Sequence, residues 1–279
     1  DVKFSHHRNR APNSWLSISL LVALYYGICF YCFVFNQEYI VQDDTRQHVV
    51  WLQRFIDADL FPHDLIADYF SGLAPIGFKF TYLFAAKLGC EPILLAKLLP
   101  PVLAIITTIY LYLFTLQILP IPWAGFISSL LINQLIWLND DLVSATPRAF
   151  IYPLFAAFLY YLSLDYLIPC LIVMLLQGLF YPHIVLIEMA IFSIRLINLR
   201  GNFKLNFKLN FIKQKQPYIW WIAGFIVTVI AIYPLSQKPP ELATTVTALQ
   251  MRQMPEFNLG GRSPFFGVGQ RIFPANQAM

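Results

Sequence analysis

The chain has 279 residues, 58% of them hydrophobic, 16% aromatic and 12% charged, with a formal net charge of +4. A soluble domain carries about 25% charged residues, so this composition argues against a soluble globular fold. The modest charge is segregated rather than patterned for phosphate tracking, and no nucleic-acid partner is indicated.

Mean hydropathy is +0.60, and several apolar runs approach the ~20 residues that cross a hydrocarbon core. The expected class is all-α: a polytopic transmembrane helical bundle of about seven spans. Basic residues gather at Lys3 to Arg10 and Arg195 to Lys215. Both segments are placed in the cytoplasm by the positive-inside rule. Cys29, Cys32, Cys90 and Cys170 lie in or beside apolar segments. They read as small packing groups rather than a disulfide framework, the Cys29-x-x-Cys32 spacing included.

Residues 1–14 form the cytoplasmic N-terminal segment. The first span, 15–35, opens at the interfacial anchor Trp15. It is too long for a signal-peptide core, and no small-residue cleavage site follows it. With Asp at its first position and a polar loop at its end, the chain is expected to be a portion of something longer. An acidic outer loop, 36–72, comes next. It holds Asp43-Asp44-Thr45-Arg46-Gln47-His48 within a few residues of the first span. From Thr45 to Leu60 the pattern is an amphipathic helix with Val49, Leu52, Phe55 and Ile56 on one face. Asp44 or Thr45 would cap it, and it would lie on the membrane surface. Asp57, Asp59, Asp64 and Asp68 read mainly as solvation of the loop.

The segment 73–199 is the body of the bundle. Residues 73–88 are expected to return to the cytoplasmic side and 93–119 to come back out, bent at Pro100-Pro101. Two arrangements fit residues 120–199. In one, 122–138 crosses, 167–199 is a single long bent helix, and the second polar cluster, Asn139 to Arg148, faces the cytoplasm. In the other, 122–138 does not cross and 167–199 is a hairpin broken at Tyr181-Pro182-His183. That second arrangement puts Asp140, Asp141, Arg148 and His183 outside, beside Asp43 and Asp44. It is preferred, because ionisable groups then share one site instead of being stranded in lipid. The mid-span segments are otherwise almost free of charge.

The basic loop 200–216 repeats Asn-Phe-Lys-Leu, which sets Phe203, Phe207 and Phe211 along one helical stripe suited to an anionic leaflet. A last span, 217–235, leads to an outer segment, 236–279, containing Gly260-Gly261-Arg262.

Adjacent carboxylates at the lip of a membrane cavity can act as general base or hold a divalent cation. The Asp43-Asp44 spacing equally suits a helix start in a wet loop. Arg46 and Arg148 can grip phosphate oxygens or pair with neighbouring carboxylates. His48 adds a group that titrates near neutrality, and His183 can serve as ligand, proton carrier or kink residue. Arg262 lies in what reads first as a loop.

The layout resembles the GT-C superfamily of integral-membrane glycosyltransferases. The likeness rests on one span followed by an outer loop opening on Asp43-Asp44, on Thr146-Pro147-Arg148-Ala149-Phe150, and on Phe180-Tyr181-Pro182-His183. The resemblance implies a polyprenyl-phosphate-linked sugar donor and inverting transfer at the periplasmic or luminal face. Asp43 or Asp44 would be the base, with Arg46, His48, Arg148, Tyr181 and Arg262 around the substrate. A divalent cation (Mg or Mn) would lie near Asp44, Asp140, Asp141 and His183. No acidic residue follows Arg148 closely, a departure from that pattern. Rival readings are a transporter or lipid-handling protein without covalent chemistry, and a non-catalytic membrane scaffold.

Overall fold

The computed structural model describes residues 13–36, 41–198, 210–211, 216–236 and 246–258. It is almost entirely helical among these residues, with one two-residue antiparallel pair, Ile197–Asn198 against Asn210–Phe211. By length and composition, two described helices are long and apolar enough to cross a membrane, and three shorter ones are apolar.

The first helix, α1 (Asn13–Val34), fixes the two ends of the bundle. We call the end at Val34 the upper one. The chain then builds a cap at that end from α2 (Asp43–His48), a 3-10 turn (Val50–Phe55), α3 (Leu65–Leu73) and α4 (Ile76–Lys87). The next helix, α5 (Pro92–Ile118), starts beside the end of α1. There the Tyr31 hydroxyl donates to the Leu98 carbonyl at 3.1 Å and Lys97 Nζ to the Val34 carbonyl at 3.2 Å. Segment 73–88 therefore does not return the chain to the opposite end. Ala74 is extended ahead of Pro75, which separates α3 from α4. That leaves α4 a helix of 12 residues, about 18 Å long.

The traverse that α4 does not make is supplied after α5. The helix α6 (Pro122–Leu138) runs along α1 from one end to the other. Trp15 meets Phe126 low on the bundle (ring centroids 5.7 Å), and Trp137 meets Tyr26 and Phe30 near the top (6.4 and 5.5 Å). Its 17 residues, about 26 Å of helix, suffice for that course. One traverse fewer before α5 and one more after it leave the turn 139–148, with its single-turn helix α7 (Asp140–Val143), at the upper end.

From that turn, α8 (Ile151–Ser163) descends, α9 (Leu167–Phe180) rises and α10 (Pro182–Leu196) descends again. Phe150 stacks on Phe180 at 4.1 Å at the top, and Arg195 pairs with Asp165 at 2.8 Å at the bottom. Tyr181 is non-helical, and Pro182 cannot donate the next intrahelical bond, so 167–199 is a hairpin and not one bent helix. The last long helix, α11 (Gln216–Ser236), packs against α9 and α10. A Cβ on Gly178 would lie 2.4 Å from the Ala231 Cβ, so the glycine is what lets α11 approach α9 there.

Two apolar cores result. One lies under the cap, where Val49, Leu52, Phe78 and Tyr82 meet Leu103, Ile136 and Leu142. The other joins α8 to α11 around Phe158, Met174, Val185 and Phe192. Val49 and Leu52 thus bury their faces against protein, and only Ile56 of the predicted amphipathic face is exposed. The continuous surface helix expected over 45–60 is instead α2 and a 3-10 turn seated on the bundle. Phe211 is extended, so it does not sit on a helical stripe; Phe203 and Phe207 lie outside the described residues. A separate unit, 238–279, contains α12 (Ala248–Gln253), opened by a capping box between Thr247 and Gln250.

Candidate functional site at the upper end of the bundle

The acidic pair sits on the first turn of α2, which begins earlier than expected. Gln42 is its cap, its side chain accepting from the Thr45 amide at 3.1 Å, so neither Asp44 nor Thr45 has that task. Asp43 and Arg46 are exposed, whereas Asp44 and His48 are partly buried, one helical turn apart on the same side.

What holds α2 in place is Thr45. Its buried hydroxyl donates to the Ser144 carbonyl at 2.7 Å, tying the first polar cluster to the second across 99 residues of sequence. The turn that receives it is strained. Ala145 has φ of 50°, a left-handed conformation that costs a non-glycine residue about 1–3 kcal/mol. The fully buried Tyr82 of α4 donates to the Ala145 carbonyl at 2.9 Å and pins the turn from below. Ser144 Oγ donates to the Asp141 carbonyl at 3.0 Å. The turn is thus fixed by groups from α2, α4 and its own chain.

Around it the charged groups converge. Arg148 Nη1 lies 3.4 Å from Asp141 Oδ1, and the Tyr152 hydroxyl donates to Asp141 Oδ2 at 3.0 Å. The Arg148 side chain remains 56% exposed, so its pairing with Asp141 leaves donors facing outward. Partial burial works against its charge, but hydrogen bonding to Tyr181 and the nearby Asp141 carboxylate outweigh this, and the guanidinium is held above its ordinary range. The His48 imidazole, edge-on to Phe70 at 4.7 Å, is pushed below its ordinary value by burial. Asp44 opposes that shift and Arg148 reinforces it. His48 is therefore within electrostatic reach of both Asp44 and Arg148 and favours the neutral form.

The structure brings Asp44, His48, Asp141, Arg148 and Tyr181 into one neighbourhood, with the exposed His183 ring 5.5 Å from Tyr181. Asp43 and Arg46 stand at its rim. Asp140 opens α7, with its side chain outside what is described, and Arg262 lies outside the described residues altogether. A small cleft of about 20 Å³ lies directly beneath α2 between Phe30, Val34, Thr45, Ile93, Lys97 and Val143. That is room for about one water molecule.

Among the described residues no three His, Cys, Asp or Glu side chains come together as a metal cage. Asp141, moreover, is engaged by Arg148 and Tyr152.

Sequence reading missed Tyr152, Thr45 as a tether, and Tyr82. Tyr152 stands four residues beyond Arg148 and could have been marked as its helical neighbour. Nothing in the sequence links Tyr82 to Ala145. Two acidic residues assigned to solvation have structural work. Asp64 caps α3 by accepting from the Ile66 and Ala67 amides, and Asp68 pairs with Arg54 at 2.7 Å.

In comparisons with known proteins, no family model, no curated protein and no solved structure matches this chain.

Proposed function

We propose that this chain is a multi-pass membrane protein of the GT-C type. It moves a sugar from a polyprenyl-phosphate-linked donor to an acceptor at the non-cytoplasmic face. The reading places α1, α5, α6, α8, α9, α10 and α11 as seven crossings, with the N-terminus and the basic segments Lys3 to Arg10 and Arg195 to Lys215 in the cytoplasm. Exposed apolar side chains along these helices, among them Leu21, Ile28, Leu131, Ile172, Ile187 and Ile226, support lipid contact.

The observation that carries the proposal is the convergence of Asp44 and His48 with Arg148 and Tyr181 from three distant parts of the chain. Asp44 is the general base. Its carboxylate takes the proton of the acceptor hydroxyl as that oxygen attacks the anomeric carbon, and the bond to the donor phosphate breaks with its electron pair on the phosphate oxygen. Arg148, held by Asp141 and Tyr181, takes the phosphate charge. His48, beside Asp44, favours the neutral form and adds no second positive charge to the site. Asp43 lies outward and is not the base.

The test is incorporation of labelled sugar from a panel of polyprenyl-phosphate donors into membranes carrying the full chain. Asp44→Asn should lose about 10²–10⁴-fold in rate, while Asp43→Asn retains most of it. Transfer by Asp44→Asn at the wild-type rate, or no transfer by the wild type from any donor in the panel, overturns the assignment. One observation favours the rival reading of a transporter: Glu188, a buried acid halfway along α10.

A further inference from the structure

We propose that α4 is a lipid-binding helix that lies in the headgroup boundary of the leaflet at the upper end and takes anionic phospholipid there. Its outer apolar face meets the acyl chains, and Lys79 and Lys87 meet the phosphates. This rests on the long helices being membrane crossings. It is independent of the sugar-transfer reading, since no residue of the upper cluster takes part.

The outer face of α4 is apolar where a cap helix in water would be polar. Ile76, Phe80, Phe84 and Leu88 are 62, 65, 56 and 72% exposed. Spaced four apart, they advance about 40° per step and form one row along the helix. Phe80 and Phe84 stack on one another at 6.3 Å, which makes part of the row a continuous aromatic surface. Phe78 and Tyr82, two residues out of that register, are fully buried in the core beneath the cap. A helix with large apolar side chains on both faces needs an apolar medium outside it as well as a core inside.

The two flanks of the row identify that medium. On one flank is Gly77, where a Cβ would lie 2.8 Å from the Leu179 Cβ, so α4 rests directly on the last turn of α9. Leu179 belongs to the outward row of α9 with Ile172 and Leu175, and all three are exposed. The apolar row of α4 is therefore continuous with a face that the crossings give to lipid. On the other flank stands Lys79, half-buried, and Lys87 is exposed in the last turn. α4 contains no acidic residue, and among the described residues neither lysine has an ion-pair partner. A lysine so placed lays its stem along apolar surface and keeps its ammonium at the polar edge. Twelve residues with an apolar row and two lysines make a helix that lies in the interface. Two cations without a carboxylate between them select a negatively charged headgroup over a zwitterionic one.

The experiment uses the full chain in lipid nanodiscs, with its four cysteines replaced and a bimane fluorophore on one of Phe80→Cys, Phe84→Cys, Ile172→Cys or Asp59→Cys. Phospholipids brominated on their acyl chains quench a fluorophore that they touch. Brominated phosphatidylcholine should quench the labels at 80 and 84 as it quenches the one at 172 on α9. The label at 59, on the exposed acidic turn, should stay bright. In mixtures where only one headgroup carries bromine, phosphatidylglycerol should quench the label at 84 more strongly than phosphatidylcholine at equal content. The preference in relative affinity should be up to about fivefold per lysine. Lys79→Gln with Lys87→Gln should abolish it. Quenching at 172 with none at 80 and 84, whether water or another protein covers α4, overturns the proposal and leaves the crossings standing. Absence of quenching at 172 overturns both. Equal quenching by the two headgroups, or a preference that survives the lysine substitutions, overturns the anionic assignment.

Discussion

At the scale of single residues, the chain separates two aspartates that look alike. Asp43 faces solvent, and Asp44 faces His48 and the Arg148 neighbourhood. Their adjacency guarantees this, because consecutive positions on a helix diverge by about 100°. Replacing both in turn should therefore give unequal losses of transfer with equal thermal stability, the comparison that separates chemistry from folding. His48 permits a pH prediction with a definite sign. Its folded-state value is depressed, so the unfolded chain binds the proton more readily. The stabilisation is fully present above the unfolded value near ~6.5 and is lost as pH falls through the folded value. Thermal scans between pH 7 and 5 should show a steeper acid loss for the wild type than for His48→Gln. Parallel curves would mean the imidazole is not shielded.

At the scale of elements, the site depends on how short pieces dock. Thr45→Val keeps the shape of the side chain but removes the donor to the Ser144 carbonyl, leaving a buried acceptor unmet. We expect a loss of about 1–3 kcal/mol, measured as a lowered Tm, with Thr45→Ser close to wild type. Because α2 carries Asp44, transfer should fall further than stability. At the meeting of α9 and α11, Gly178→Leu must displace Ala231, whose Cβ already sits 2.4 Å from an added Cβ. Overpacking of this kind costs about 1–3 kcal/mol, again read from Tm. The cap shows why periodicity misleads over 45–60. Val49, Leu52 and Phe55 recur as on a helix, but the tight turn at Val50–Phe55 comes from docking on α4 and α5, which no local pattern encodes.

At the scale of the molecule, the prediction concerns which turns share a side. In a cysteine-free background, single cysteines at Asp141, His183 and Gly89 should react with an impermeant thiol reagent from the same face. A cysteine at Asp165 should react from the other. Gly89 is the discriminating position, since a crossing by residues 73–88 would put it with Asp165. Protection of Gly89 together with Asp165 would overturn the assigned course of α4 and α5.

The sequence by itself determined the helical class, the long apolar helices, the break at Tyr181-Pro182 and the polar residues worth watching. These come from composition, run length and proline chemistry, all of which act within a few residues. Tertiary structure alone decided that α4 stays in the cap while α6 runs the full length. Apolar content scores both segments alike, and only packing partners distinguish a helix that traverses from one that does not. It also decided that Asp44, Asp141, Arg148 and Tyr181 meet, through a hydroxyl-to-carbonyl bond between Thr45 and Ser144 that has no signature in either segment. Glu188 belongs to the same class. An acid in an apolar run is visible as a letter, but its lack of any donor is a property of four packed helices.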